Sequence, residues 1–540
     1  MTSMPDTGRG SAIRSRSLPA TAESALVLAL LLIGWEVLAR TALAGSFALA
    51  APTDVLIHLA ERGPLFARNV AATLETALKG FIIGNAIAIA LALAIVQAPA
   101  LEKPVFSAAL AIYSIPIIAL APILLVLLDR AAAMVALSAL GVIFTTLVAT
   151  TLGLRSADPA ALNVVHVLGG GAVSKLARVR CVSALPSLFA GLRIAAPAAV
   201  LGATVGEFMG AERGLGVLIT GALASLETTR VWAVAVLATL LSGGAYAALG
   251  WLGRRLTPWA DGMPVTLATD PGAAPGHVSG ASQAGGVLRA VAINVAVVFG
   301  GWALFIGLAG LNPFFAKGPA DVWAFLATDA DAERNRALIF GGLAVTVGNA
   351  GLGFVAGLAG GTLAAVVFVL RPSLERAIMP VAITLRSIPI LATAPLVILM
   401  LGRTLTATTV IIAILSFFPT MINVMSGMRL TRRALVEVLK TLGAGRWTIL
   451  WRAELPSALP AIMASARIAV PASILGAVII EWLITGVGMG NAILAGVYNA
   501  DYAVLWAVTA VLTLFSMGAY GLIALAERAV LRRFAPEQLP

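Results

Sequence analysis

Cysteine occurs once in 540 residues, at Cys181, so neither an intrachain disulfide nor a cysteine-built metal site can form. Histidine is nearly as rare: His58, His166 and His277 lie far apart in sequence, which argues against a zinc cluster. No Gly-Lys dipeptide occurs. A phosphate-binding loop needs that pair, followed by Ser or Thr, so that backbone N–H groups can cradle the phosphates. Any ATP hydrolysis tied to this chain is therefore expected on another polypeptide. Charge is also scarce, at 11% Asp, Glu, Lys and Arg, against ~25% in a soluble domain. With 60% hydrophobic residues and a mean hydropathy of +0.99, the chain cannot cover a globule with polar surface. Lipid must take the place of water around it.

What is present in abundance is long apolar sequence. Runs of spanning length recur at about 24–43, 70–98, 105–128, 131–153, 186–210 and 231–252. A second set follows at about 288–309, 342–370, 377–401, 404–428, 458–484 and 503–526. The expected fold class is an all-α polytopic membrane protein with 12 transmembrane helices. Residues 257–286, rich in Gly, Pro, Ala and Ser, read as a flexible linker between the sets. Arg9, Arg14 and Arg16 before the first run, and Ala42-Leu43-Ala44 after it, imitate a signal peptide. The run is too long for one, and its counterpart with Trp302 sits mid-chain, so a retained first helix is expected.

That counterpart belongs to an internal repeat. Gly34-Trp35 recurs as Gly301-Trp302, and Pro52-x-Asp54-Val55 as Pro319-x-Asp321-Val322, both displaced by 267. Gly80-Phe81, Ser114-Ile115-Pro116 and Pro122 recur 273 later as Gly353-Phe354, Ser387-Ile388-Pro389 and Pro395. Ser183-Ala184-Leu185-Pro186, Arg193, Pro197, Glu207, Gly214, Gly216 and Trp232 recur 274 later. The organisation expected is a tail at 1–23, repeat 1 at 24–256, the linker at 257–286, repeat 2 at 287–534 and a tail at 535–540.

Six spans per repeat is an even number, so both halves share one orientation, related by a pseudo-twofold axis along the membrane normal. The net charge of +11 does not read as a nucleic-acid footprint, because Lys and Arg collect in short loops between apolar runs. Arg155, Lys175, Arg178 and Arg180 follow span four; Arg429, Arg432, Arg433, Lys440, Arg446 and Arg452 follow span ten. The linker flank and the C-terminal Arg528, Arg532 and Arg533 share that face, which the positive-inside rule makes cytoplasmic, with both termini.

The loop after each fourth span is too polar to cross the bilayer yet has helical spacing. In TRRALVEVLKTLGAGRWTILWRAELP (431–456), Leu435, Val438 and Leu442 share one side, with Arg433, Glu437 and Lys440 elsewhere. Gly443 can end the helix without a Cβ penalty, and a second short helix can start near Arg446. Periodicity alone leaves two readings open: a knob that docks into a soluble partner, or an amphipathic loop lying on lipid.

Glu437, Gly443 six residues on, and Leu455-Pro456 resemble the cytoplasmic loop signature of ABC importer permeases: Glu-Ala-Ala, a glycine, then Ile-x-Leu-Pro. In this chain Val438 and Leu439 stand for the alanines and Ala453 for the isoleucine. The stretch 385–402, the ARIA at 466–469 and Glu481 to Gly490 are similar to permeases for nitrate, taurine, aliphatic sulfonates and related solutes. The resemblance covers nearly the whole chain twice, as two permeases fused. It implies two ATP-binding cassette ATPase subunits docking on loops 156–183 and 430–456, and a periplasmic or surface-anchored solute-binding protein. The first copy departs from the signature: Asn163 replaces the glutamate and Val182 the Pro456 counterpart, while Gly169 remains. Unequal coupling of the two loops is the expectation.

Charges inside spans are costly and mark candidate pathway residues. Glu207 and Glu481 end equivalent spans, each followed by a glycine-bearing segment; lining the exit and capping a helix break are both open readings. Arg193 and Arg467 near the other ends read as snorkelling structural residues. Arg386 has only Tyr113 as counterpart, and Pro116, Pro122, Pro389 and Pro395 interrupt spans three and nine, which should therefore face the interior. The reading is a non-catalytic, cofactor-free membrane subunit of an ATP-driven importer of a small solute. Its rival is an ion-coupled transporter of the major facilitator type, disfavoured because the expected second-to-third-span loop pattern and buried proton-relay groups are missing.

Overall fold

The computed structural model describes residues 20–41, 43–44, 49–260, 296, 299–304, 306–308, 310–386 and 390–534. Every regular element among them is helical. The first half comprises α1 (Ala20–Arg40), α2 (Pro52–Glu61), α3 (Gly63–Gln97), α4 (Glu102–Ser114) and α5 (Ile117–Leu127). It continues through α6 (Arg130–Arg155), α7 (Pro159–Val167), α8 (Ala172–Phe208), α9 (Leu215–Ala224) and α10 (Thr228–Leu256). In the second half α11 (Pro319–Trp323), α12 (Ala332–Leu370), α13 (Pro372–Arg386), α14 (Ile390–Leu401) and α15 (Leu405–Arg429) repeat α2 to α6. Then α16 (Arg433–Thr441), α17 (Arg446–Ile449), α18 (Leu459–Ile480), α19 (Gly488–Tyr498) and α20 (Tyr502–Phe534) repeat α7 to α10, with α8 split into two pieces.

Eight helices among the described residues are long and apolar enough to cross a membrane, and the chain is a multi-pass membrane protein. Their outward faces carry bare apolar side chains, such as Ile82 on α3 and Leu363 on α12, as a lipid-facing surface requires. The twelve expected spans are not all recovered as such. The runs at 24–43, 288–309 and 377–401 extend beyond the described residues. The run at 105–128 is no straight span but the pair α4–α5, bent by 98°. Pro116 causes the bend: it offers no N–H, and it holds Ile115 extended at φ −74°, ψ 123°. Pro122, expected to interrupt the same span, lies buried inside α5 without ending it.

Small residues set how closely the helices approach, because lipid tails give helices no hydrophobic reason to associate. On α3, Gly80 and Gly84 lie against Ser138, Ala139 and Val142 of α6, and any added Cβ would strike them. Gly353, Gly357 and Gly361 of α12 do the same against α15, at Ile412, Ser416 and Thr420. Buried polar pairs lock these contacts in register. Ser138 Oγ donates to the Ala199 carbonyl of α8 at 2.9 Å, Thr146 donates to Asn85, and Ser416 meets Ser473 at 3.0 Å.

The halves meet through helix exchange. The piece α5 packs on α20 of the other half, and α14 packs on α10. Thr509 of α20 reaches the Ala119 carbonyl at 3.4 Å. Near the ends of α8 and α18, Phe208 and Trp482 touch edge to face with ring centroids 5.7 Å apart. These two are the same position of the repeat, 274 residues apart. Of the expected linker, Thr257 closes α10 and Pro258–Ala260 forms one tight turn; residues 261–286 lie outside the described residues.

Candidate functional site

At one end of the molecule stand the two loops singled out by their spacing. The helix α16 stops at Gly443, whose φ of +76° suits a residue without Cβ, and Ala444 N–H returns to the Leu439 carbonyl at 2.9 Å. The first half ends α7 identically, with Gly169 at φ +81° and Gly170 N–H on the Val165 carbonyl at 2.8 Å. Glu437 and Asn163 are exposed at equivalent positions, and Leu455 and Pro456 are half-buried where the chain re-enters the bundle. Large apolar side chains project around them: Val438, Leu442, Trp447 and Trp451 in the second loop, Val164, Val167, Leu168 and Val173 in the first. An exposed Leu442 at 77% and Leu168 at 80% mark a surface of the kind used for contact.

The second loop is also braced. Arg446 donates to Glu454 at 2.6 Å and to the Val369 carbonyl of α12 at 3.1 Å. The equivalent residues of the first loop are Ala172 and Arg180, so this brace has no counterpart there. The brace has no local sequence signal, although the repeat shows Glu454 in place of Arg180.

At the other end, each half contains a buried carboxylate. Glu481 is fully buried. It accepts from Thr346 Oγ1 at 2.6 Å, from Asn349 Nδ2 at 3.1 Å and from Gly490 N–H at 3.2 Å. Thr346 Oγ1 in turn accepts from Met489 N–H at 3.0 Å. In the first half Glu207 accepts from Gly216 N–H at 2.8 Å, Leu215 N–H donates to Thr73 Oγ1 at 2.9 Å, and Gly214 N–H donates to Asn69 at 2.8 Å. The first N–H groups of a helix lack intrahelical acceptors, and a carboxylate satisfies both that need and the helix dipole. Each glutamate thus pins the start of the short helix that follows, α9 or α19. Gly214 and Gly488 lie directly over these carboxylates, where a Cβ would collide with them.

Of the two readings open for these glutamates, the geometry places both in the capping arrangement, turned into protein. Thr73 and Thr346 complete it; they share a repeat position, 273 apart, but lie more than 130 residues from their glutamates, beyond any local motif. One oxygen differs: Glu481 Oε1 is held by Asn349, whereas Glu207 Oε1 is buried without a hydrogen-bond partner among the described residues. Because Phe208 and Trp482 follow the two glutamates, both clamps sit beside the contact between the halves.

The remaining sequence candidates are placed unevenly. Pro116 stands at the α4–α5 bend. Arg386 closes α13, and Pro389 lies outside the described residues. Arg467 is buried and paired with Glu527 at 3.1 Å, while the Arg193 guanidinium lies 4.4 Å over the Tyr246 ring. A cavity of about 870 Å³ opens on the first half near the end of α1, lined among others by Arg40, Asp54, His58, Glu227 and Arg230. There Arg40 is tied to Glu36, Thr53 and Asp54, and Arg230 to Glu227 at 2.7 Å. Burial, with Arg62 and Arg230 nearby, holds the His58 imidazole below its ordinary pKa.

The family model of binding-protein-dependent transport system inner membrane components matches residues 84–258 and again 357–532. The formylaminopyrimidine transport permease protein ThiX of Halalkalibacterium halodurans is 31% identical over 139 residues, 26% of this chain and 56% of that protein. The riboflavin transport system permease protein RibX of Chloroflexus aurantiacus is 34% identical over 159 residues, 29% of this chain and 59% of that protein. The match thus spans little more than half the length of either. The taurine transport system permease protein TauC of Escherichia coli is 26% identical over 245 residues, 45% of this chain and 87% of that protein. With two matches that together cover more than half its length, the chain belongs to the family of binding-protein-dependent transport inner membrane components, as two permease domains fused in one polypeptide.

Proposed function

We propose that this chain forms the translocation pathway of an ATP-driven importer, as a pseudo-dimer of two parallel six-helix halves within 24–256 and 287–534. The pseudo-twofold axis runs along the membrane normal and passes between Phe208 and Trp482. The contact between these two repeat counterparts supports this placement, since residues near a twofold axis meet their own equivalents. The reciprocal packing of α5 on α20 and α14 on α10 supports the same axis.

The loops at 156–183 and 430–456 dock two ATPase subunits on the cytoplasmic side, where both termini also lie. The observation that carries this reading is the pair of protruding helix–glycine–helix loops at one end of the bundle, each presenting exposed apolar side chains. Glu437 and Gly443 give the second loop its contact edge; Asn163 and Gly169 occupy the same places in the first. The Arg446–Glu454 brace makes the second loop the stiffer dock. At the opposite, outward face, Phe208 and Trp482 close the path between the halves, with Glu207 and Glu481 holding α9 and α19 around them.

A solute-binding protein delivers a small solute to that outward face. Relatives named for a pyrimidine, riboflavin and taurine all match this chain, which supports leaving the choice of solute chiefly to the binding protein. The test is uptake by proteoliposomes containing the chain, with and without the candidate ATPase and ATP. ATP-dependent accumulation of the solute carried by the candidate binding protein is expected. Uptake driven by an ion gradient alone would overturn the proposal.

A further inference from the structure

Two arginines at one repeat position, Arg193 and Arg467, have opposite surroundings. Arg467 on α18 is neutralised by Glu527 of α20 at 3.1 Å, with both side chains about nine-tenths buried, and it faces the Tyr520 ring. Arg193 on α8 keeps the aromatic partner, Tyr246 of α10, at 4.4 Å. The position of Glu527, however, is taken by Gly253, and Phe189 packs over that glycine where the second half has Met463. Gly250 lets the guanidinium lie flat on the α10 backbone, since a Cβ there would strike its Nε and Cζ atoms. Among the described residues Arg193 Nε is buried without a hydrogen-bond partner, and no carboxylate pairs with this side chain.

The place of Arg193 along its helix shows what could balance it. Arg193 lies 15 residues before Phe208, about 22 Å along the helix, a length comparable with a hydrocarbon layer ~30 Å thick. Gly250 sits one helical turn inside the Arg254–Arg255 end of α10, so the site is close to the headgroup boundary. At that boundary a guanidinium half-buried between helices is within reach of anionic groups on the membrane surface. Planar guanidinium groups pair with oxyanions through two parallel N–H bonds.

We propose that Arg193, set between α8 and α10, holds an exogenous oxyanion, a phosphate or sulfate-like group that supplies the charge which Glu527 supplies in the second half. The group arrives as the headgroup of an anionic phospholipid or as a soluble anion; both present the same oxygens. The site does not depend on the transport reading, because its test reads binding and not uptake.

The full chain in nanodiscs provides the test. In one arm, phosphatidylglycerol and phosphatidylcholine compete for the protein, and native mass spectrometry reads which lipid is retained. In the other arm, phosphatidylcholine nanodiscs are titrated with sodium sulfate at constant ionic strength, reading the rise in unfolding temperature. Retention of phosphatidylglycerol assigns the site to lipid; stabilisation by sulfate alone assigns it to a soluble anion. Arg193→Gln should lower the positive signal at least tenfold in apparent affinity. A second variant guards against misfolding: Phe189→Met with Gly253→Glu installs the neutralised arrangement that the second half already folds around. It should abolish the signal while leaving Arg193 in place. No anion preference in either arm, or an undiminished signal in both variants, would overturn the proposal.

Discussion

Alanine at Gly488 and at Gly486 makes a useful pair, because both glycines hold left-handed backbone and one of them lies over the carboxylate. Both have positive φ, +74° and +66°. A Cβ on Gly486 meets nothing within 4 Å, whereas on Gly488 it enters the Glu481 carboxylate. Left-handed backbone costs a residue with Cβ about 1–2 kcal/mol, a term shared by both variants. Only Gly488→Ala also displaces the carboxylate from Thr346, Asn349 and the Gly490 N–H. Leaving a buried polar group unsatisfied costs about 1–3 kcal/mol, and several are at stake. Allowing for partial relaxation, the two variants should differ by about 2–5 kcal/mol, the larger loss at Gly488. Denaturant unfolding in nanodiscs, followed by tryptophan fluorescence, measures the difference. Hydrogen exchange should show α19 opening in Gly488→Ala and staying protected in Gly486→Ala. Equal destabilisation by the two variants would refute the clamp as the anchor of α19.

Three further outcomes follow from the same geometry. Gly443→Val should reduce solute-stimulated ATPase activity more than Gly169→Val, since it deforms the braced loop; equal losses would reject unequal docking. Glu527→Gln leaves Arg467 buried without its counter-charge and should cost about 3–5 kcal/mol. Replacing both partners by Leu and Met should recover most of that loss, as read by unfolding in nanodiscs; no recovery would mean that packing, not charge, was lost. His58 is held below its ordinary value of about 6.5 by burial and by Arg62 and Arg230. The unfolded chain therefore takes up this proton first, so the His58 contribution is present above about pH 6.5 and is lost as pH falls through the native value. His58→Gln should flatten that acid-side decline, and an unchanged slope would assign it to other groups.

Much of the candidate site could be read along the chain because its signals are local. The glycine that ends each loop helix, the apolar stripe at Leu435, Val438 and Leu442, and the charge flanking them all fall within one short window. The glutamates stand out as charges at the ends of apolar runs, but a charge in that place is compatible with lining and with capping alike. What decides it is the identity of the groups around the carboxyl, and those come from α3 and α12. Thr73 and Thr346 look like ordinary polar residues in apolar helices, so nothing local distinguishes them. The bend at Pro116 against the unbroken helix at Pro122 was likewise undecided locally, since a proline breaks a helix only where the freed carbonyls find other partners.

The amino-acid sequence by itself determined that the chain is helical, that lipid surrounds it, that it is one permease-length unit written twice, and that two polar loops project from it. Those properties follow from hydropathy and 3.6-residue periodicity, which each segment carries on its own. Only the tertiary structure decided which side chains meet: Glu481 with Thr346, Arg467 with Glu527, Phe208 with Trp482, and Arg193 with no carboxylate among the described residues. Such pairings depend on how each helix is rotated about its axis and how near its neighbour comes. Close packing at glycines such as Gly84 and Gly357 sets both, and those contacts exist only once the helices have assembled.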